Sequence, residues 1–303
     1  MKDSLVVFSA FDGISCGKVA LDRVGIKNIT YIASEIDKNA IKCSESNHSD
    51  IIRVGDITKV SYKDGILTTE NSIFNIGKVD LLIGGSPCQS FSNVAGIHAT
   101  VNGLDGKSKL FYEYLRLLKE FKEYNPNLKF LLENVKMRKG SKEQLDNYLG
   151  VQGKEFNSSL VSYQVRTRYY WTNWDWDLPE DKNISFQDFI ETDGDFKVLN
   201  KERKSYRQMW ANGNGKNALK TCANVTNSDK VYCLMTKQDR SPNSGLIEHG
   251  DFCRYLSQTE LEQAQTLPKG YTRVLSWNQA CAVLGNGWTV DVIAHILKYT
   301  FEK

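Results

Sequence analysis

An α/β fold, with a Rossmann-like, mostly parallel sheet and a smaller loop-rich lobe, is the architecture this chain of 303 residues predicts. Three observations predict it. Over the first 135 residues, short apolar runs alternate with segments of helical periodicity, the pattern of strands joined by crossover helices. The turns after two of those runs contain glycines, where an open sheet lets ligands approach its strand ends. After Trp171 the composition shifts toward Asn, Gly, Ser and Trp with weak periodicity, and regular patterns return near Arg254.

Each element follows from its residues. Leu5-Val6-Val7-Phe8 reads as a buried strand, and Gly17 to Val24 as the helix after it. Thr30 to Ala33 predicts a second strand, Ile51 to Val54 a weaker third, and Val79 to Ile83 a strong one that runs into Gly84-Gly85. Leu110, Phe111, Tyr114, Leu115, Leu118 and Phe121 recur at helical spacing. Lys129 to Leu132 is a further strand, and Tyr169-Tyr170-Trp171 an aromatic one. Near the end, Leu256 to Ala264 fits a helix that Ser257 or Thr259 can cap, and Thr289 to Tyr299 fits a closing helix. The division expected is residues 1–172, an inserted lobe at 173–251 and a returning segment at 252–303.

Composition excludes several classes. With 41% hydrophobic and 25% charged residues the chain is neither disordered nor of low complexity. No uninterrupted apolar run approaches the ~18 residues of a membrane span, and no signal-peptide pattern follows Met1, so no membrane partner and a cytoplasmic location are expected. Seven cysteines without a Cys-x-x-Cys pair argue against a disulfide framework or a zinc ribbon, and no metal is expected. The net charge of +3 hides an asymmetry: Lys201 to Arg240 holds nine basic and three acidic residues, which leaves the remainder at −3. A basic segment on a near-neutral body points to a local polyanion contact.

The first strand leads into Phe8-Ser9-Ala10-Phe11-Asp12-Gly13-Ile14-Ser15-Cys16-Gly17. Glu35 follows the second strand, where a carboxylate accepts hydrogen bonds from ribose hydroxyls. Asp56 follows the third and is placed to receive an adenine amino group. The loop lacks the Gly-x-Gly-x-x-Gly of pyrophosphate sites, which suits a nucleoside without pyrophosphate, such as S-adenosylmethionine. A structural glycine turn with two exposed acids is the plainer account of the same residues.

Gly84-Gly85-Ser86-Pro87-Cys88-Gln89-Ser90-Phe91-Ser92 follows the strongest strand and puts Cys88 at the carboxyl end of the sheet. A lone cysteine is more often a small buried hydrophobe. The Gly-Gly-Ser-Pro setting argues instead for a nucleophile. Glu133-Asn134-Val135 ends the neighbouring strand, within reach of the same substrate. In Gln164-Val165-Arg166-Thr167-Arg168, strand alternation predicts that Gln164, Arg166 and Arg168 share one face and can bind oxygens of a base or phosphate.

These motifs in this order resemble the C5-cytosine DNA methyltransferase family. Gly285-Asn286-Gly287-Trp288-Thr289-Val290 is similar to the family's last motif, and the resemblance covers about residues 5–172 and 252–300. The Phe-Asp-Gly loop, the Arg-x-Arg-Tyr-Tyr-Trp run, the Asn-Gly-Trp-Thr-Val ending, and Arg254-Tyr255-Leu256 with Gln265-Thr266-Leu267-Pro268 look most like the animal de novo subgroup. Gln89 is the choice of most bacterial members.

The resemblance implies a class I S-adenosylmethionine-dependent fold and methyl transfer to C5 of a flipped cytosine in double-stranded DNA, with S-adenosylhomocysteine as product. It implies Cys88 as the nucleophile that adds to C6, Glu133 as the group that stabilises charge at N3, and Arg168, helped by Arg166, as the cationic partner of the base. Cofactor contacts are implied for Phe11, Asp12, Gly13 and Ile14, for Glu35 and Ile36, for Asp56 and Ile57, and for Pro87, Asn286, Gly287 and Trp288. DNA contacts are implied for Gln89 and Ser90. In the lobe, which holds the family's target-recognition region, the candidates are Arg203, Lys204, Arg207, Lys237 and Arg240, with Asn212, Asn214 and Asn217 as base-edge readers. Gln89 to Lys107 is expected to close over the DNA as a lid. The setting implied is bacterial or phage-encoded, monomeric and DNA-associated, with a cognate restriction endonuclease as a possible companion. The alternatives are a tRNA cytosine-5 methyltransferase on the same scaffold and an inactive DNA-binding homologue.

Overall fold

The computed structural model describes residues 4–86, 109–199, 224–239, 243–250 and 252–301. A seven-stranded sheet forms its centre. The strands are β1 (Leu5–Ala10), β2 (Ile29–Ser34), β3 (Ile52–Arg53), β7 (Leu81–Gly85), β8 (Lys129–Val135), β9 (Lys154–Asn157) and β10 (Thr167–Thr172). Their order is β3-β2-β1-β7-β8-β10-β9, with the first five parallel and β10 antiparallel to both neighbours. The predicted mostly parallel sheet is present. The weak third strand shrinks to two residues, and the strong run at 79–83 pairs from Leu81 through Gly85.

Alternation along each strand builds one core on each side of the sheet. Val7, Leu81, Ile83 and Leu131 face one core, and Phe8, Leu82, Phe130 and Leu132 face the other. The first is covered by α1 (Cys16–Val24), α6 (Trp277–Asn286) and α7 (Val290–Phe301), with α7 packed along α1. The second is covered by α3 (Lys109–Tyr124) and α4 (Lys139–Leu149), through Phe111, Tyr114, Phe121 and Leu145.

Some elements were not foreseen. The helix α2 (Lys38–Asn47) has a weak apolar stripe, but Asp37 caps its start by accepting from Asn39 N and Ala40 N. A small antiparallel sheet of β4 (Ser61–Lys63), β5 (Ile66–Thr68) and β6 (Ile73–Asn75) lies between β3 and β7 in the chain. Its first turn is Asp64-Gly65, with φ of 50° and 83°, the dipeptide that favours tight hairpins. Strands of three residues carry too few positions for period-two patterning to show.

In the lobe, β11 (Leu246–His249) pairs with β12 (Phe252–Tyr255), and the expected division at 251 falls between these two strands. Val225, Val231 and Leu234 join the first core, so the described part of the lobe is packed into the sheet domain. The helix α5 (Gln258–Ala264) starts on a capping box between Ser257 and Glu260, whose carboxylate also holds the buried Arg254 guanidinium at 2.8 Å. The expectation that nothing in the chain would pass for a membrane span is corrected: Trp277–Thr300 is long and apolar enough by length and composition. It comprises α6 and α7, and 67% of its most apolar window is buried in this chain's core.

One buried acid fastens β10 to α4. Asp146 Oδ1 accepts Trp171 Nε1 at 2.6 Å and Gly153 N at 2.9 Å, and Oδ2 accepts Lys142 Nζ at 2.7 Å. Burial would raise the Asp146 carboxyl, but these donors prevail and hold it below its usual 3.8. A depressed carboxyl contributes stability above its unfolded pKa and loses it as pH falls through the folded value. Asp146→Asn should therefore cost about 1–3 kcal/mol at neutral pH. In urea unfolding, the gap between variant and wild type should close below pH 3.8.

Candidate active site

The carboxyl ends of β1, β2, β7 and β8 open into one cavity of about 480 Å³, in the range of small-molecule sites. At one end lie Phe11, Gly13, Glu35, Ile36, Asp56 and Ile57. At the other lie Gly85, Ser86, Glu133, Asn134, Arg166 and Arg168, with Gly285 and Asn286 closing the side. Residues from opposite ends of the sequence thus share one space.

The first end is a strained loop held by acids. Phe11, Gly13 and Ser15 all have positive φ, near 60°. Gly13 N–H donates to Glu35 Oε2 at 2.7 Å, and Ile36 N and Asp37 N donate to Oε1. Asp56 caps a short turn by accepting Thr58 N through Oδ1, and its second oxygen has no partner among the described residues.

Asp12 and Ile14, expected as cofactor contacts, lie behind the cavity wall rather than on it. Asp12 turns inward and accepts Tyr31 OH at 2.7 Å and Ser15 Oγ at 2.5 Å. Burial pushes its carboxyl up, against the pull of Ser15, Ser9 and Tyr31. Ile14 is packed in the first core, and its carbonyl accepts Tyr271 OH. Asp12 therefore braces a loop with left-handed residues on either side.

The second end is built around Glu133, whose side chain is 12% exposed. Its Oε1 lies 3.2 Å from Arg168 Nε, and its Oε2 accepts Trp288 Nε1 at 3.1 Å. Gly85 makes that meeting possible: a Cβ there would stand 2.8 Å from Trp288 Nε1 and 2.9 Å from Glu133 Oε2. Asn134 Nδ2 donates to Ser86 Oγ at 3.1 Å, which ties the tip of β8 to the tip of β7.

The two arginines both line the cavity and both meet Cys233 Sγ, but their other partners differ. Arg166 precedes β10 and is 4% exposed. Its guanidinium binds the carbonyls of Leu234, Gly285 and Gly287 at 3.0–3.3 Å, because those acceptors are otherwise buried in its reach. Gln164, also buried, turns to Gln265 and Ala264 O. Gln265 in turn binds the carbonyls of Leu284 and Gly287. Arg166 and Gln265 thus set the turn that delivers Trp288.

Gly287 and Trp288 sit beside the cavity without lining it, and Asn286 lines it. Lys237 is exposed and outside it. Pro87, Cys88, Gln89, Ser90, Arg203, Lys204, Arg207 and Arg240 lie outside the described residues, as do the Asn candidates 212, 214 and 217 and the whole of the lid expected at 89–107. Sequence reasoning missed Val283 of α6 as a wall, although it lies three residues before Asn286 on the same helix face. It also missed Cys233, whose sulfur meets both guanidiniums.

Residues 5–170 match the C-5 cytosine-specific DNA methylase family. The chain belongs to that family. Among its relatives, the orphan methyltransferase M.Rho11sI of Bacillus phage rho11s is 31% identical over 68% of this chain and 39% of its own length. The rice DNA (cytosine-5)-methyltransferase DRM2 is 34% identical over 38% of this chain and 19% of its own. The chain therefore spans less than half the length of these curated family relatives. Among solved structures, the Entamoeba histolytica methyltransferase EhMeth has a TM-score of 0.74 at 17% identity, covering 99% of each chain. Spodoptera frugiperda DNMT2 has 0.68 at 19%, covering 99% of this chain and 100% of that one. At such identities these likenesses establish the fold, which is that of these methyltransferases.

Two outcomes test the family site. Gly85→Ala should destabilise the chain by roughly 1–3 kcal/mol through overpacking and change its tryptophan emission, a change absent in a Trp288→Phe background. Asp12→Ala, which leaves the buried Tyr31 hydroxyl without its acceptor, should cost about 1–3 kcal/mol in urea unfolding, whereas Asp12→Asn, which keeps an acceptor for Tyr31, should lose less.

Proposed function

We propose that the chain is a DNA (cytosine-5-)-methyltransferase that uses S-adenosylmethionine. The observation that carries this reading is the Glu133–Arg168 pair, backed by Trp288, in the same cavity as Glu35 and Asp56, with Pro87-Cys88 following the tip of β7 in sequence.

The cavity suits the cofactor. Glu35 keeps one lone pair, on Oε2, for a ribose hydroxyl, Asp56 has an oxygen without a partner among the described residues, and Phe11 and Ile57 supply apolar walls for a base. When bound, S-adenosylmethionine supplies an electrophilic methyl group on its sulfonium and leaves as S-adenosylhomocysteine. Phe11, Gly13, Glu35, Ile36, Asp56, Ile57 and Asn286 would hold it, with Pro87, Gly287 and Trp288 beside them.

The chain's own residues would prepare the cytosine. The Cys88 thiolate adds to C6, which breaks the ring's aromaticity and raises electron density at C5. Glu133 stabilises the charge that addition pushes toward N3, sharing a proton with that nitrogen. Arg168 offers positive charge to the base oxygen or a nearby phosphate, and Arg166 holds the wall behind it. After methyl transfer, a base removes the C5 proton, the electron pair reforms the ring double bond, and Cys88 leaves as thiolate. A water is a fitting base for that step.

The lobe at 173–251, which carries the basic stretch, is the proposed target-recognition region between the catalytic segment 1–172 and the return at 252–303. Arg203, Lys204, Arg207, Lys237 and Arg240 are the proposed phosphate contacts, and Gln89 and Ser90 the proposed contacts beside the flipped base. The phage relatives support a DNA-associated, cytoplasmic setting in a bacterial or phage-infected cell.

The deciding experiment measures tritiated methyl transfer to duplex DNA. Cys88→Ala should lower turnover about a thousandfold or more. DNA carrying 5-fluorocytosine, which has no C5 proton to lose, should trap a denaturation-resistant adduct on the wild type and none on Cys88→Ala. Retained turnover without Cys88 would overturn the mechanism, and transfer to tRNA with none to DNA would overturn the substrate.

A further inference from the structure

Cys233 is a thiol for which the proposed reaction has no use. It belongs to the described stretch 224–239 of the lobe, where Val231 pairs in parallel with Gln164, just ahead of β10. Three contacts fix the backbone there. Leu234 N–H donates to Gln164 Oε1 at 2.9 Å, and Arg166 Nη1 donates to Leu234 O at 3.3 Å. Gly285 lies so close that an added Cβ would stand 2.6 Å from Thr236 N and 2.7 Å from the Met235 carbonyl carbon.

The sulfur is thereby held against two cations. Arg166 Nη1 lies 3.3 Å from Cys233 Sγ, and Arg168 Nη2 lies 3.7 Å from it. Arg168 already directs Nε at Glu133 and Nη1 at Thr167 O, so Cys233 takes its remaining terminal nitrogen. Burial disfavours a thiolate, but the charges of Arg166 and Arg168 outweigh burial and hold this thiol below the usual range. Cys16, Cys43 and Cys281 show the contrast, since burial pushes each up to about 12.

We propose that Cys233 is a positioning residue, whose sulfur accepts from Arg166 and Arg168, fixes the Arg168 guanidinium toward Glu133 and ties the lobe to the reaction pocket. The role rests on the reading of Glu133 and Arg168 given above. Cys233 does not line the cavity and acts only through Arg168. The charged groups that face the sulfur are Arg166, from the segment before β10, and Arg168, from β10 itself. Glu133 of β8 and Tyr170 of β10 face Arg168 as well. Without the sulfur as acceptor, Arg168 would lose one of the contacts that set its angle.

Two measurements test this. In the full chain, the rate of iodoacetamide alkylation at Cys233, resolved by peptide mass spectrometry, should show a midpoint below the ~8.5 of a free cysteine. Arg168→Met should move that midpoint up. A wild-type midpoint at or above that of a free cysteine would overturn the proposal whether or not the chain transfers methyl groups. In methyl transfer, Cys233→Ser should lower kcat about tenfold with KM for DNA nearly unchanged, and Cys233→Asp should recover part of the loss. A Cys233→Ser variant as active as wild type from about pH 6 to about pH 9, across the range where a thiol titrates, would leave the thiol no positioning role and overturn the proposal. Absence of methyl transfer by the unaltered chain would overturn the proposed function and this role with it. That outcome is distinct from an active wild type beside an indifferent Cys233→Ser.

Discussion

A nearly buried carboxylate that must meet two donors from distant segments governs the architecture of the site. Glu133 stands at the tip of β8, and its partners arrive from β10 and from the turn before α7. Leaving such a charge without partners costs roughly 3–5 kcal/mol, so the antiparallel strand and the closing helix are both constrained by it. The lack of a side chain at Gly85 leaves room for indole and carboxylate on the strand between. Arg166 and Gln265 stand behind this meeting and bind the carbonyls of the Gly285–Gly287 turn. The chain's last helices thus complete a pocket whose floor was laid by its first strands.

Four acids line the cavity, and the surroundings of three of them, Glu35, Asp56 and Glu133, give them separate parts. Glu35 is ringed by backbone N–H groups, which orient it without adding a charge. Asp56 uses one oxygen to cap a turn and presents the other. Glu133 faces a guanidinium and an indole. Asp12, close by in sequence, lies on the inner side of the loop, where burial and hydroxyl donors make it a brace. Side-chain type alone does not separate Glu35, Asp56, Glu133 and Asp12; the direction each takes from its strand end does.

Much of the fold was legible because the sheet is buried on both faces. Runs such as Val6-Val7-Phe8 and Leu81-Leu82-Ile83 leave few other structures open to them. Glu133, Asn134, Glu35 and Asp56 were legible too, since each ends a strand on the side where open sheets bind ligands. The β4–β6 hairpins escaped notice because three residues carry no period, although Asp64-Gly65 marked the turn. Gln164, Arg166 and Arg168 all reach Cys233 or Leu234, but the burial of Arg166 against the carbonyls of Gly285 and Gly287 was not legible, because those acceptors lie about 120 residues away.

The sequence by itself determined the alternation of the main strands and helices, the helices on both faces of the sheet and the acids at the strand tips, because periodicity and chain order are local properties. Only the tertiary structure decided which groups those acids meet. Trp288 lies 155 residues from Glu133, and Cys233 lies 65 from Arg168, so neither contact leaves a trace in local pattern. Such pairs are selected by packing at the sheet's carboxyl edge, where a buried charge accepts only the donors that the folded chain brings to it.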